Sequence, residues 1–143
     1  MKSNQHLLGK KAVVIGGTSG IGRAIALAFV KEGACVIPVS RNIKKVKKVL
    51  GELALHGNPG QTPLTVDVRN EKQIKDLVKK LDSDKNPVDI VVCTAGIHLK
   101  KDFLAMKRAE WQTVLDINLT GTYFVNKYFG GRMVRHGRGS IIN

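Results

Sequence analysis

The first chemical signal in the chain is a run of seven residues, Gly16-Gly17-Thr18-Ser19-Gly20-Ile21-Gly22. Four glycines in seven positions let the backbone turn sharply and bring main-chain N–H groups close to a bulky ligand. If a helix begins at the end of such a turn, its free N–H groups and positive dipole end favour a phosphate. The spacing Gly17-xxxx-Gly22-Arg23-Ala24 is also that of a nucleoside-triphosphate loop, but the chemistry is missing. There is no lysine for the β- and γ-phosphates, and Ala24 cannot ligate magnesium. Metal chemistry has no other support. Cys35 and Cys93 fall in apolar, strand-like runs, and His6, His56, His98 and His136 are scattered among loop-like contexts. The two thiols read as buried and reduced.

The flanking pattern supplies the elements that position the turn. Ala12 to Ile15 is an apolar run suited to a strand buried on both faces. Ile21, Ala24, Ile25, Ala28 and Phe29 recur at helical spacing after the turn, and Gly33 closes that helix. Residues 34–40 form a second strand, with Pro38 expected at its end or where pairing is loose. Asn42 caps a lysine-rich helix whose apolar side is Ile43, Val46, Leu50 and Leu53. A loop at 57–60 leads to a third strand over 63–68. Asn70 then caps a helix carrying Ile74, Leu77, Val78 and Leu81, which ends at Asn86-Pro87. Residues 88–94 form a fourth strand. A loop to about Ala105 leads into helical segments around Trp111 and Tyr128, which Gly121 interrupts without breaking. Ser140 to Asn143 opens a fifth strand. This alternation argues for an α/β fold with a doubly wound parallel sheet in three layers.

With these motifs in order, the chain resembles the short-chain dehydrogenase/reductase family. Gly16-xxx-Gly20-Ile21-Gly22 matches the family's TGxxxGxG turn, and Thr94-Ala95-Gly96 the tail of its NNAG element. Trp111 through Gly121 (WQTVLDINLTG) matches the helix that carries a structural and catalytic asparagine, here Asn118. Gly139 through Asn143 looks like the strand leading to the catalytic serine. Two positions depart from the family. Ile15 stands where a threonine opens the glycine motif, and Cys93 and Thr94 replace the two asparagines. Ile15 cannot donate a hydrogen bond, which leaves an apolar contact or a looser adenine pocket as alternatives.

The resemblance implies a Rossmann-type nucleotide-binding domain over residues 1–143. Its cofactor contacts would come from Gly16, Thr18, Ser19, Gly20, Ile21 and Gly22 in the turn, and from Ser40 and Arg41 after the second strand. Asp67 and Val68 would supply the adenine end, with Asp67 on the base, and Thr94, Ala95 and Gly96 the fourth strand's contacts. At the tip of the second strand an acid selects NAD and an arginine accepts the 2′-phosphate of NADP. Arg41 follows Ser40 with no acid there, and Asn42 and Lys45 are possible helpers. The expectation is NADP(H) over NAD(H).

The family's chemistry is hydride transfer between the nicotinamide and a carbonyl or alcohol substrate. A tyrosine acts as acid and base with its pKa drawn down by a lysine, a serine holds the substrate oxygen, and an asparagine anchors the proton relay. Of these four, only Asn118 is expected within the 143 residues. Tyr123 and Lys127 have the YxxxK spacing but precede the fifth strand, so Tyr123 is read as core or interface. The sequence is thus expected to be the cofactor-binding part of an oxidoreductase of about 250 residues, truncated before the serine and YxxxK and inactive alone. The fifth strand would then be an open edge, favouring aggregation or dimerisation, and a full-length member would be a homo-oligomer. The general look is similar to 3-oxoacyl-acyl-carrier-protein reductases and to sugar or polyol dehydrogenases.

The net charge of +13 suits either an anionic cofactor or a nucleic-acid surface. Apolar residues at helical spacing put the Lys44–Lys48 run on a solvated face, and no reader motif accompanies it, so no nucleic-acid partner is expected. The start, Met1 to His6, is polar. With no apolar run long enough to span a bilayer and no visible signal peptide, a cytoplasmic protein without a membrane partner is expected. A non-catalytic NADP-binding module is the alternative reading, and a basic nucleic-acid binder the third.

Overall fold

The computed structural model describes residues 5–83 and 85–143, so the first four residues of the polar N-terminal reading lie outside the described residues. The chain runs β1 (Lys11–Ile15), α1 (Gly20–Lys31), β2 (Cys35–Ser40), α2 (Ile43–Ala54), β3 (Leu64–Thr65) and α3 (Glu71–Leu81). It continues with β4 (Ile90–Cys93), α4 (Arg108–Leu115), α5 (Gly121–His136) and β5 (Ser140–Ile142). All five strands are parallel, in the order β3-β2-β1-β4-β5. The order reverses between β1 and β4, and a crevice opens beyond the carboxyl ends of strands at such a point.

Alternation along β1 divides the core between the two faces of the sheet. Ala12 and Val14 pack with Ala26 and Val30 of α1 and with Val49 and Leu53 of α2. Val13 and Ile15 face the opposite way, in a cluster with Ile74, Leu77 and Val78 of α3 and Val125, Phe129 and Met133 of α5. Both sides of the strand are therefore covered, giving the three layers expected of a doubly wound sheet.

Two helix faces differ from the sequence reading. In α1 the buried stripe is Gly22, Ala26 and Val30, while Ile21 is 75% exposed. Small residues let this helix lie close to the sheet, and the larger Ile25 and Phe29 pack at its flanks. In α2 the buried residues are Val46, Val49 and Leu53, and Ile43 is largely exposed. The four lysines of the Lys44–Lys48 run are solvent-facing.

β1 starts one residue earlier than expected, and the other four strands are shorter than expected, β3 most of all. Only Val39↔Leu64 and Ser40↔Thr65 pair between β2 and β3. Pro38 lies inside β2, opposite Val14. The β3 ladder begins only after it, so its missing N–H interrupts no bond there. Val36 is matched instead by a loop side chain. Buried Asn58 accepts from Val36 N–H at 2.8 Å and donates to Val36 C=O at 3.0 Å.

Candidate nucleotide-binding site

The cleft at the strand-order reversal has a volume of about 1120 Å³. The glycine turn forms one wall. Gly16 has φ +85°, which favours glycine. Gly22 sits so tightly that a Cβ there would strike Gly16 C=O and Thr94 Oγ1. The turn delivers the N-terminus of α1 into the cleft. Ser19 caps that helix with extended backbone but makes no side-chain cap bond, and the first turn holds no acidic residue. The leading N–H groups are thus left for an incoming anion. Thr18, Ser19, Gly20 and Ile21 line the same wall, which explains why Ile21 is exposed rather than packed in the core.

Thr94 holds β1 and β4 together at the cleft floor. Its N–H and its hydroxyl both donate to Ile15 C=O, at 2.8 and 3.0 Å. The polar link between the first and fourth strands therefore survives Ile15, because it runs through the backbone carbonyl. Cys93, beside it, is buried with its sulfur 3.8 Å from Thr122 Oγ1, and burial pushes its thiol pKa up. Neither feature suits a reactive thiolate. Cys35 is half-buried, and burial raises its pKa also.

The second wall carries the charges. Ser40, Arg41, Asn42 and Lys45 line the mouth past β2. Asn42 Oδ1 caps α2 by accepting from Lys45 N–H at 3.1 Å, and Ser40 Oγ accepts from Asn42 N–H at 3.3 Å. Asn42 is thus occupied with its helix, while the Ser40 hydroxyl proton stays available. Asp67 and Val68 line the adjoining stretch. The Arg69 guanidinium holds the Asp67 carboxyl below the usual aspartate value, against a smaller opposing push from burial. Ala95 and Gly96 lie at the end of β4.

Asn118 stands behind that stretch, in a single π-helical turn over Asp116–Thr120 between α4 and α5. Its Oδ1 accepts from Ile97 N–H and its Nδ2 donates to Ile97 C=O, each at 2.9 Å. The amide therefore clamps the loop after β4, as one more strand would. π-turns of this kind recur at functional sites.

The sequence model of the short chain dehydrogenase family matches residues 10–143. The chain belongs to that family. It is 33% identical over 139 residues to a 3-oxoacyl-[acyl-carrier-protein] reductase of Thermotoga maritima, covering 96% of this chain and 56% of the relative. It is 34% identical to nodulation protein G of a Rhizobium species, again over 96% of this chain and 55% of the relative. The chain thus spans about half the length of the curated relatives it matches. A short-chain dehydrogenase/reductase from Mycobacterium marinum superposes with TM-score 0.88 at 31% identity, covering 96% of this chain and 56% of that one. So does a protein from Beutenbergia cavernae, described as a candidate NAD(P)-dependent gluconate 5-dehydrogenase with NADP bound at low occupancy. Its TM-score is 0.87 at 32% identity, with 96% and 54% covered.

Within this short chain dehydrogenase fold, the two tyrosines lie away from the cleft. Tyr123 is half-exposed on α5, with Lys127 Nζ 5.4 Å from its ring centre, so it is not a core residue of the described chain. Tyr128 donates to Glu71 on α3. Two cleft features, and one contact beside the cleft, escaped the sequence reading. Ile97 and Ile117 form apolar wall, and Ile142 and Asn143 close the β5 end. Arg69 bonds both oxygens of Asp67. The spacing Asp-x-Arg was visible, but only the tight turn before α3 brings the guanidinium back onto the carboxylate.

Proposed function

We propose that this chain binds NADP(H) in preference to NAD(H), and that it is the cofactor-binding part of an oxidoreductase. Such an enzyme moves hydride between the nicotinamide and a carbonyl or alcohol carbon. The observation that carries the cofactor choice is the wall past β2, where Ser40, Arg41 and Lys45 line the cleft with no carboxylate at that tip. A guanidinium binds phosphate oxygens in a bidentate way, and an ammonium adds a second charge. The pyrophosphate would rest on the N–H groups at the start of α1, the adenine beside Asp67 and Val68, and the nicotinamide end by Thr94, Ala95 and Gly96. The glycine turn fits such a ligand because a side chain at Gly22 would fill the space the turn needs. When bound, the cofactor supplies the hydride. This chain's residues bind and orient it, and Asn118 fixes the backbone at Ile97 from which a proton relay would be organised.

Neither Tyr123 nor Tyr128 lies in the cleft lining, so the 143-residue chain is expected to hold the cofactor without turnover. Titration with NADPH and NADH, followed by nicotinamide fluorescence, tests the reading. NADPH is expected to bind roughly tenfold or more tightly, the worth of one or two charge-assisted hydrogen bonds. Arg41→Glu should reverse the preference, and an unchanged ratio in that variant rules out Arg41 as the selector. The same preparation should give no NADPH oxidation with a carbonyl substrate.

A further inference from the structure

The foot of the sheet, at the end away from the nucleotide cleft, holds a second cavity of about 320 Å³. Its origin is the shortness of β3, which pairs with β2 only at Val39 and Ser40. The amino half of β2 has no strand beyond it, and the loop before β3 runs there instead. Gln61 of that loop donates from Nε2 to Cys35 Sγ and to Pro59 C=O, each at 3.3 Å. Lys11 and Cys35 are register partners at the starts of β1 and β2, so they share the sheet face that carries Val13, Ile37 and Val39. Ile37, Leu64 and Leu81 give the cavity an apolar wall, and Lys11, Lys80 and Cys35 line the rest of it.

Lys11 is a half-buried cation with no counter-charge in contact. Its ammonium donates to Leu81 C=O at the end of α3, and to Asn86 C=O at 3.3 Å. Both acceptors are neutral, and an ammonium has three N–H groups, so one remains. The nearest carboxylates are engaged elsewhere. Asp82 accepts from Val88 N–H and from Arg132, while Asp89 accepts from the Lys11 backbone N–H and pairs with Lys10 and Arg138. Burial pulls the Lys11 pKa below the usual lysine value, and Cys35, Asp82 and Asp89 offset that only in part. Among the described residues no carboxylate lines the cavity, and exposed Lys80 adds a second ammonium at its rim. An anion that brings its own apolar body would satisfy the cation and cover the apolar wall together.

We propose that this cavity is a second binding site, for a short-chain organic carboxylate. The carboxylate takes the free N–H of Lys11 and pairs with Lys80, and the carbon chain lies along Ile37, Leu64 and Leu81. The volume is at the lower end for ligand cavities, which suits a molecule far smaller than a dinucleotide. The site opens at the amino ends of the strands and the nucleotide cleft at their carboxyl ends, so it stands or falls independently of the NADP(H) reading.

Cys35 sits in the cavity wall and can report on it. The test follows iodoacetamide alkylation of the 143-residue chain by peptide mass spectrometry, with hexanoate as the probe. For a Kd on the order of 1 mM, about 10 mM hexanoate should slow Cys35 alkylation about tenfold. Cys93, buried at the nucleotide cleft, should keep its rate. 1-Hexanol has the same tail without the charge and should slow Cys35 by about twofold at most. Lys11→Met should bring the effect of hexanoate down to that of hexanol. Lys80→Met, at the exposed rim, should weaken it about threefold, and it decides the matter together with the hexanol comparison if the Lys11 variant fails to fold. The proposal is overturned if hexanoate leaves the Cys35 rate unchanged, slows Cys93 equally, or protects no better than hexanol. Full protection in folded Lys11→Met, or in Lys80→Met, overturns it as well.

Discussion

At the scale of single residues, close approach matters more than side-chain chemistry. Gly22 is the clearest case, because a single added carbon would collide with Gly16 C=O and with Thr94 Oγ1. That hydroxyl is already committed to Ile15 C=O, and the carbonyl is backbone, so neither can yield easily. Gly22→Ala should therefore push the turn away from β4. The expected cost is about 1–3 kcal/mol of stability, the usual range for overpacking. NADPH affinity should fall further than stability alone requires, because the displaced turn carries the N–H groups at the start of α1. Thermal melts with and without NADPH measure both effects. A variant that melts lower yet keeps the full NADPH-induced rise in Tm would show that the turn is structural and not a ligand cradle.

At the scale of elements, one buried carboxylate ties three of them together below the sheet. Asp82, just past α3, has a side chain only 1% exposed. It accepts from Val88 N–H before β4 at 2.7 Å and from Arg132 Nε of α5 at 2.5 Å, and it lies 2.9 Å from His136 Nε2. Burial pushes its carboxyl pKa up, but Arg132, the Val88 N–H and His136 together outweigh that and hold it below the ordinary 3.8. A lowered native pKa means the ionised form is bound better in the fold than in the unfolded chain. The stabilisation is then complete above the ordinary value and is lost as pH falls through the native one. Unfolding free energy should drop between about pH 5 and pH 2, and Asp82→Asn should flatten that part of the profile. The asparagine variant should also be about 2–3 kcal/mol less stable at neutral pH, having lost a charge-assisted bond. Urea titrations across that pH range measure both. An unaltered acid slope in Asp82→Asn would move the acid sensitivity to another carboxylate.

The same scale shows what could be read from the sequence. Caps were legible at Asn42 and Asn70, because the bond spans three residues and needs no distant partner. The order of elements and the doubly wound sheet were legible from apolar runs alone. The buried face of α1 was not. Apolar size pointed to Ile21 and Phe29, whereas the sheet selected Gly22 and Ala26, which allow the helix to lie close. Asn58 and Arg69 were likewise invisible, since each bonds a group that only the folded chain brings within reach. The candidate cofactor positions all fall around one cleft, and the candidate catalytic residue Asn118 stands behind it and reaches it through Ile97.

At the scale of the whole molecule, two terms compete over self-association, and salt decides between them. A net charge of +13 on 143 residues repels a second copy. Against it stand exposed apolar side chains on the segment from the short 3₁₀ turn Phe103–Ala105 through α5. Phe103 is 77% exposed, Leu104 93% and Val134 82%, with Trp111 and Leu119 also at the surface. β5 pairs with β4 on one side only, so its other edge offers unpaired backbone groups to a second strand among the described residues. Apolar contact and strand pairing are short-ranged and persist in salt, whereas the repulsion is screened. The Debye length falls from about 10 Å at 0.1 M to about 3 Å at 1 M. Association should therefore strengthen as salt rises, opposite to the trend for an interface held by ion pairs. Sedimentation velocity at 0.05 and 0.5 M salt, each over a tenfold range of protein concentration, should show a monomer giving way to dimer or larger species, earlier at the higher salt. Replacing Leu104 and Val134 with serine should shift that transition to higher concentration. A monodisperse monomer at every salt and concentration, with one cooperative melt, would show that the charge dominates and that the β5 edge is tolerated in solution.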